Sequence, residues 1–218
     1  MTLTLYQFPA ACSRVTMTAL EEIGAPFETV CVNIRAGSHT KPEYLAINPK
    51  GKVPAISIDG QIMTENAAIL WLLHSTNPQA NLLPTLDGPT GAYQGLSDLV
   101  WCSGTIHPMV RQVRMPVKWT TGDPSGVRED GINKLRVESE RISGRVGNGR
   151  WWYGDTWSII DTYLYWGYST ARKGGFPLEE FPALLDHAER VRARPSFQRV
   201  IAREQAAVEE HSITDVEL

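Results

Sequence analysis

Residues 48–70 read NPKGKVPAISIDGQIMTENAAIL, and their order decides the fold. Asn48-Pro49-Lys50-Gly51 is a turn former leading into a short apolar run that carries an internal proline, Pro54. Proline donates no backbone hydrogen bond and is kept out of central strands, so Pro54 marks a bend or an interrupted strand edge, with a cis bond as one way of making it. Asp59-Gly60 between two apolar runs predicts a two-residue β-hairpin. Thr64-Glu65-Asn66 then opens a helix. An open strand edge beside a helix N-terminus is a place where backbone groups can grip an extended, peptide-like ligand.

Working outward, Leu3-Thr4-Leu5-Tyr6-Gln7-Phe8 alternates as a half-buried strand does, and Ser13–Ile23 carries Val15, Ala19, Leu20 and Ile23 at helical spacing with Gly24 as a stop. Val30, Val32 and Ile34 alternate again, predicting a second strand parallel to the first. The order strand–helix–strand, then hairpin and helix, predicts a small mixed sheet with helices packed on it. Asn77–Gly91 is rich in turn formers and reads as a linker between domains. Beyond it strands become scarce. Ala92–Val113, Gly126–Val146, Ser158–Ala171, Pro182–Ala193 and Ser196–Glu210 all accept helical readings, and Ser158-Ile159-Ile160-Asp161 has the form of a capping box with Asp in the place of Glu.

Composition narrows the function classes. A chain of 218 residues with 42% hydrophobic and 21% charged residues is an ordinary globular mix, long enough for two small domains. The net charge of −3 gives no electrostatic reason to expect nucleic acid or an anionic membrane as partner. The N-terminus MTLTLYQF lacks the pattern of a signal peptide, and no apolar run approaches membrane-spanning length. Cys12, Cys31 and Cys102 are odd in number and unspaced for a metal or a disulfide framework, which suits a reducing cytoplasm and a protein without a metal.

These motifs together resemble the cytosolic glutathione transferases over nearly the whole chain. NPKGKVPAI, Asn48–Ile56, is similar to that family's cis-proline strand, Val53-Pro54 here. Thr64-Glu65-Asn66-Ala67-Ala68-Ile69-Leu70 is similar to its Glu/Gln-Ser helix start, with asparagine replacing serine. Gly154–Asp161 resembles the capping box and staple of its helical domain, and Arg194-Pro195-Ser196-Phe197 resembles an ending found in bacterial members. Ala10-Ala11-Cys12-Ser13 and Ile106-His107 resemble the bacterial beta class, although Pro108 stands where that class has lysine.

The resemblance implies an α/β thioredoxin-like N-terminal domain, residues 1–80, that binds glutathione, and an all-α C-terminal domain, residues 88–218, that contributes the hydrophobic substrate site. It implies a homodimeric detoxifying transferase that activates the thiol of glutathione, its cosubstrate, for attack on a small hydrophobic electrophile. Val53, at the cis Pro54, would pair with the cysteinyl unit, Glu65 and Asn66 would hold the γ-glutamyl end, and Lys52 and Arg35 would meet the glycine carboxylate. Cys12 and Ser13, where the first strand turns into the first helix, are the candidate donors to the sulfur, with Tyr6 a third. A hydroxyl suits conjugation. A Cys12 thiol of low pKa also suits thiol transfer through a mixed disulfide. His107 is a further candidate catalytic group, and Trp101, Arg111, Arg114, Trp119 and Trp166 are candidates for the second-substrate pocket expected between the domains. The non-enzymatic alternative is a transferase-like binding protein.

Overall fold

The structure is a computed structural model that describes residues 2–218. They form two compact units, one of residues 2–82 together with 194–218 and the other of residues 83–193.

The first unit is built on a four-stranded sheet of order β2-β1-β3-β4. Strand β1 (Leu3–Gln7) pairs parallel with β2 (Glu28–Cys31), Tyr6 opposite Val30, and antiparallel with β3 (Ala55–Ile58), Leu5 opposite Ile56. β3 returns antiparallel as β4 (Gln61–Thr64). Asp59 and Gly60 connect them with φ of 48° and 84°, the doubly left-handed turn that matches strand twist. Thr2 and Asp59 exchange hydrogen bonds, Thr2 N–H to Oδ1 at 2.7 Å and Asp59 N–H to the Thr2 carbonyl at 2.9 Å, bracing the hairpin against β1.

Helix α1 (Ser13–Ile23) ends at Gly24, whose φ of 74° lets its N–H reach the Leu20 carbonyl. Helices α2 (Pro42–Leu45) and α3 (Asn66–Thr76) complete the thioredoxin-like part. The core is apolar side chains at the expected spacings: Leu3 and Leu5 from β1, Val15, Ala19 and Leu20 from α1, Ile69, Leu70 and Leu73 from α3.

The second unit is helical: α4 (Gly91–Trp101), a π-helical turn Cys102–Ile106, α5 (His107–Arg114), α6 (Ser125–Val146), α7 (Ile159–Arg172) and α8 (Pro182–Arg192). Every residue from Ile159 to Tyr168 is buried, which makes α7 the central helix. No helix among the described residues is long and apolar enough to cross a membrane.

The last helix, α9 (Pro195–Glu210), belongs to the first unit, although its sequence reads as a continuation of the helical domain. It lies along α1, and the seam is ionic. Arg199 and Arg203 donate to the two oxygens of Glu21 at 2.5 and 2.6 Å, and Arg194 and Ser196 reach Glu22. Charge pairs so far apart in sequence leave no local signature, which is why periodicity alone misplaces this helix.

Within the second unit the capping box at α7 forms as its sequence predicts. Asp161 does more than cap. Its Oδ2 accepts the Ser158 N–H at 2.8 Å, and its Oδ1 accepts the Trp152 N–H at 2.7 Å. Oδ1 also meets His187 Nε2 at 3.0 Å, while His187 Nδ1 meets the Tyr168 hydroxyl at 2.8 Å. Both side chains of the Asp161–His187 pair are fully buried. The tautomer with hydrogen on Nε2 donates to Asp161 and accepts from Tyr168, whose hydroxyl burial keeps protonated.

Removing Asp161 strands several buried donors, so Asp161→Ala is expected to lower unfolding free energy by roughly 3–5 kcal/mol. Ser158→Ala, which removes one cap, is expected to lose only about 1 kcal/mol. Urea unfolding followed by tryptophan fluorescence separates the two, and equal losses would contradict the hub role of Asp161.

Candidate active site

The corner between β1 and α1 is a tight turn. Ala11 N–H reaches the Phe8 carbonyl at 3.1 Å, and Ala10 takes φ of 60°, a left-handed conformation unusual for a residue with a Cβ. Cys12 follows as the residue that caps α1. Ser13 Oγ, fully buried, donates to the Phe8 carbonyl and accepts the Phe8 N–H, both at 3.2 Å. Its hydroxyl is therefore committed to the turn, whereas the Cys12 side chain stands at the edge of the buried region, 9% exposed.

Opposite Cys12 lies the loop that precedes β3. Two side chains fix it by converging on the Lys52 carbonyl, the Tyr44 hydroxyl at 2.6 Å and Asn48 Nδ2 at 2.7 Å. Burial pushes the Tyr44 hydroxyl up to about 12, so it remains a donor throughout the physiological range. Gly51 has φ of 59°, and a Cβ there would stand 2.8 Å from the His39 carbonyl oxygen, so only glycine fits. The Val53-Pro54 bond is cis. Cys12 Sγ donates to the Val53 carbonyl at 3.4 Å, joining the loop to the α1 corner.

The start of α3 completes the arrangement. Glu65, with φ of 71°, precedes the helix, and its exposed carboxylate pairs with Lys50 at 2.6 Å. The Asn66 side chain is turned inward. It accepts from Thr16 Oγ1 at 2.6 Å and donates to the Cys12 carbonyl at 3.0 Å. The peptide N–H groups of the first turn of α3 remain as the anion-facing groups that a helix N-terminus provides.

Cys12, Val53, Pro54 and Asn66 thus meet in one place, with Lys52 and Glu65 as chain neighbours. Arg35 is exposed, and its Nη2 donates to the Asp215 carbonyl at 2.7 Å. Tyr6 is half-buried on the opposite side of β1 from Leu5 and Gln7, its ring 6.0 Å from that of Tyr44. In the second unit, His107 lies 4.4 Å from the Trp166 ring, with Nδ1 3.5 Å from the Tyr163 hydroxyl. Trp166 is buried, Trp101 stacks on Trp152 at 5.1 Å, Arg111 is half-buried, and Trp119 and Arg114 are exposed. Among the described residues no cluster of three or more His, Cys, Asp or Glu is placed to hold a metal ion.

Sequence reading passed over Thr16, Tyr44, Arg14 and Glu204, all of which hold this region. For Glu204 a signal existed. Phe197, Val200, Glu204 and Ala207 form one buried stripe of α9, and a carboxylate in such a stripe needs a buried partner.

Residues 1–74 match the model of the glutathione S-transferase N-terminal domain. The glutathione S-transferase hmp2 of Hypomyces subiculosus is 36% identical over 93% of this chain and 99% of its own length. Among solved structures, a glutathione transferase homologue from Sulfitobacter with bound glutathione has a TM-score of 0.82 at 28% identity, covering 93% of this chain and 98% of that one. The bacterial beta-class glutathione S-transferase of Sphingomonas chungbukensis has a TM-score of 0.79 at 27% identity, covering 92% and 98%. With a cis-proline loop facing the β1–α1 corner of a thioredoxin-like unit, and relatives aligned along nearly their full length, the chain belongs to the glutathione S-transferase family.

Proposed function

We propose that this transferase binds glutathione along Val53 and presents its sulfur to Cys12, for attack on a small hydrophobic electrophile. The observation that supports this reading is the 3.4 Å contact from Cys12 Sγ to the Val53 carbonyl. A carbonyl has two lone pairs. The Val53 oxygen can therefore also accept from the cysteinyl N–H of the tripeptide, while the Val53 N–H donates to its carbonyl, as in an added strand. Pairing there brings the cysteinyl side chain toward Cys12.

The thiol of glutathione has a free pKa of ~8.5, so little thiolate exists at neutral pH. Lowering it by two units needs roughly 2.7 kcal/mol of selective thiolate stabilisation. The Cys12 S–H, turning from the Val53 carbonyl to the arriving sulfur as the cysteinyl N–H takes its place on that carbonyl, and the positive end of α1 have the required order of magnitude. The γ-glutamyl carboxylate would meet the first-turn amides of α3, and its ammonium group would meet Glu65. Lys52 and the remaining N–H groups of Arg35 are suited to the glycine carboxylate. Asn66, whose amide is committed to Thr16 and Cys12, is proposed to act through its backbone. His107 is proposed as a hydrogen-bonding group toward the second substrate.

Ser13 is the weaker donor candidate, because its hydroxyl already serves Phe8 in both directions. That favours one second reading, thiol transfer. The Cys12 thiolate would attack the glutathionyl sulfur of a mixed disulfide and expel the other thiolate. A second glutathione thiolate would then attack the Cys12–glutathione disulfide, releasing oxidised glutathione and restoring the Cys12 thiolate. A reducing cytoplasm suits either chemistry, and none of the three cysteines is in a disulfide. A homodimer is proposed on the family's habit and on exposed Tyr93 and Val100, seven residues apart on α4. Sedimentation velocity should find twice the chain mass.

Cys12→Ala is expected to lower turnover of an aryl halide by about 10- to 100-fold, the worth of a hydrogen bond to a charged group. Ser13→Ala is expected to reduce stability by about 1 kcal/mol with little change in turnover. Loss of thiol transfer alone in Cys12→Ala would select the second reading, and full retention of both activities would rule out Cys12. Gly51→Ala is expected to weaken glutathione binding by about tenfold or more through displacement of the Val53 loop, measurable by calorimetric titration.

A further inference from the structure

One carboxylate from the last helix holds both sides of the Cys12 corner. The Glu204 side chain has no exposed surface, and that of Arg14 is 4% exposed. Glu204 Oε1 accepts the backbone N–H of Ala10 at 3.1 Å. Arg14 Nε donates to Oε1 at 3.2 Å and to Oε2 at 3.0 Å, and Arg14 Nη2 also donates to Oε2. The guanidinium lies over the Phe197 ring at 5.6 Å. Ala10 precedes Cys12 by two residues and Arg14 follows it by two. Ala10 is also the residue in the left-handed conformation, which alanine holds only under restraint.

We propose that Glu204 is a positioning residue for the thiol-handling corner, holding Ala10 left-handed and Arg14 in place so that Cys12 Sγ stays aimed at the Val53 carbonyl. The proposal deepens the reading that Cys12 meets the glutathione sulfur and rests on it. Without the carboxylate, Ala10 relaxes toward negative φ and turns the peptide that carries Cys12. The thiol then leaves the place where the tripeptide's sulfur arrives. Glu204 itself touches no substrate and acts only through the backbone.

The test replaces the pair rather than one member, since an isolated buried charge threatens folding and an apolar pair of similar volume does not. Arg14→Met/Glu204→Leu is expected to unfold cooperatively. Its kcat/KM for glutathione is expected to fall about tenfold, as for a displaced reacting group. The pH profile of Cys12 alkylation by iodoacetamide, followed by peptide mass mapping, is expected to move. Adding Ala10→Gly, which makes the left-handed turn easy, is expected to recover a severalfold part of the loss. Should the double variant fail to fold, Glu204→Gln carries the same readouts with the same expected directions.

An unmoved alkylation profile together with wild-type kcat/KM overturns the positioning role. A loss that Ala10→Gly leaves untouched also overturns it. Alkylation needs no glutathione, so the two ideas fail separately. If the clamp idea is wrong, Cys12→Ala still lowers turnover but the alkylation profile of the double variant stays put. If the Cys12 reading is wrong, Cys12→Ala turns over normally.

Discussion

The peptide unit around Cys12 is tied down from its own strand, from α3 and from α9 at once, and the site follows from that restraint. Ser13 closes the turn on Phe8, Asn66 takes the Cys12 carbonyl, and Glu204 takes the Ala10 N–H. The first two contacts satisfy buried backbone groups and the third a half-buried one, so they also answer a desolvation demand. With the peptide held in this way, the Cys12 thiol reaches across to the Val53 carbonyl beside the cis bond.

The second unit is organised differently. Its core is aromatic, with Tyr163, Tyr168 and Phe176 among its largest fully buried side chains. An aromatic core brings polar tips inside with it, and each needs a partner. Asp98 serves the Trp152 indole at 2.8 Å and the Tyr153 hydroxyl at 2.6 Å, and Asp161 and His187 serve the chain around α7. The generous tryptophan content therefore belongs largely to packing. Trp152, Trp157 and Trp166 are buried, and Trp119 is the well-exposed exception.

Much of this was legible in the sequence because its signals are local. The Asp59-Gly60 hairpin, the Ser158–Asp161 box and the Gly24 stop each specify geometry within a few residues, and each forms. Family resemblance added the thioredoxin-like and helical architecture. Other features depend on pairings that no short window contains. Asn66 reads as a ligand-facing side chain, yet Thr16 draws it inward. Ser13 reads as a donor awaiting a sulfur, yet its hydroxyl is used five residues back. The short helix α2, with Pro42 in its first turn, was not anticipated, because four residues carry no periodicity. The placement of α9 rests on Arg14, Glu21 and Glu22, charges that look like a solvated helix face until their partners are known.

Ala10 and Glu204 are separated by 194 positions in the chain, and this sets the order in which the corner can mature during translation. A ribosome elongating at about 5–20 residues per second makes Glu204 on the order of 10–40 s after Ala10. Throughout that interval the nascent β1 and α1 carry an unmatched arginine and two glutamates where α9 will lie. The thiol corner acquires its full set of restraints only once α9 has been made, so a chain that has not yet reached Glu204 has a cysteine but not the corner that aims it.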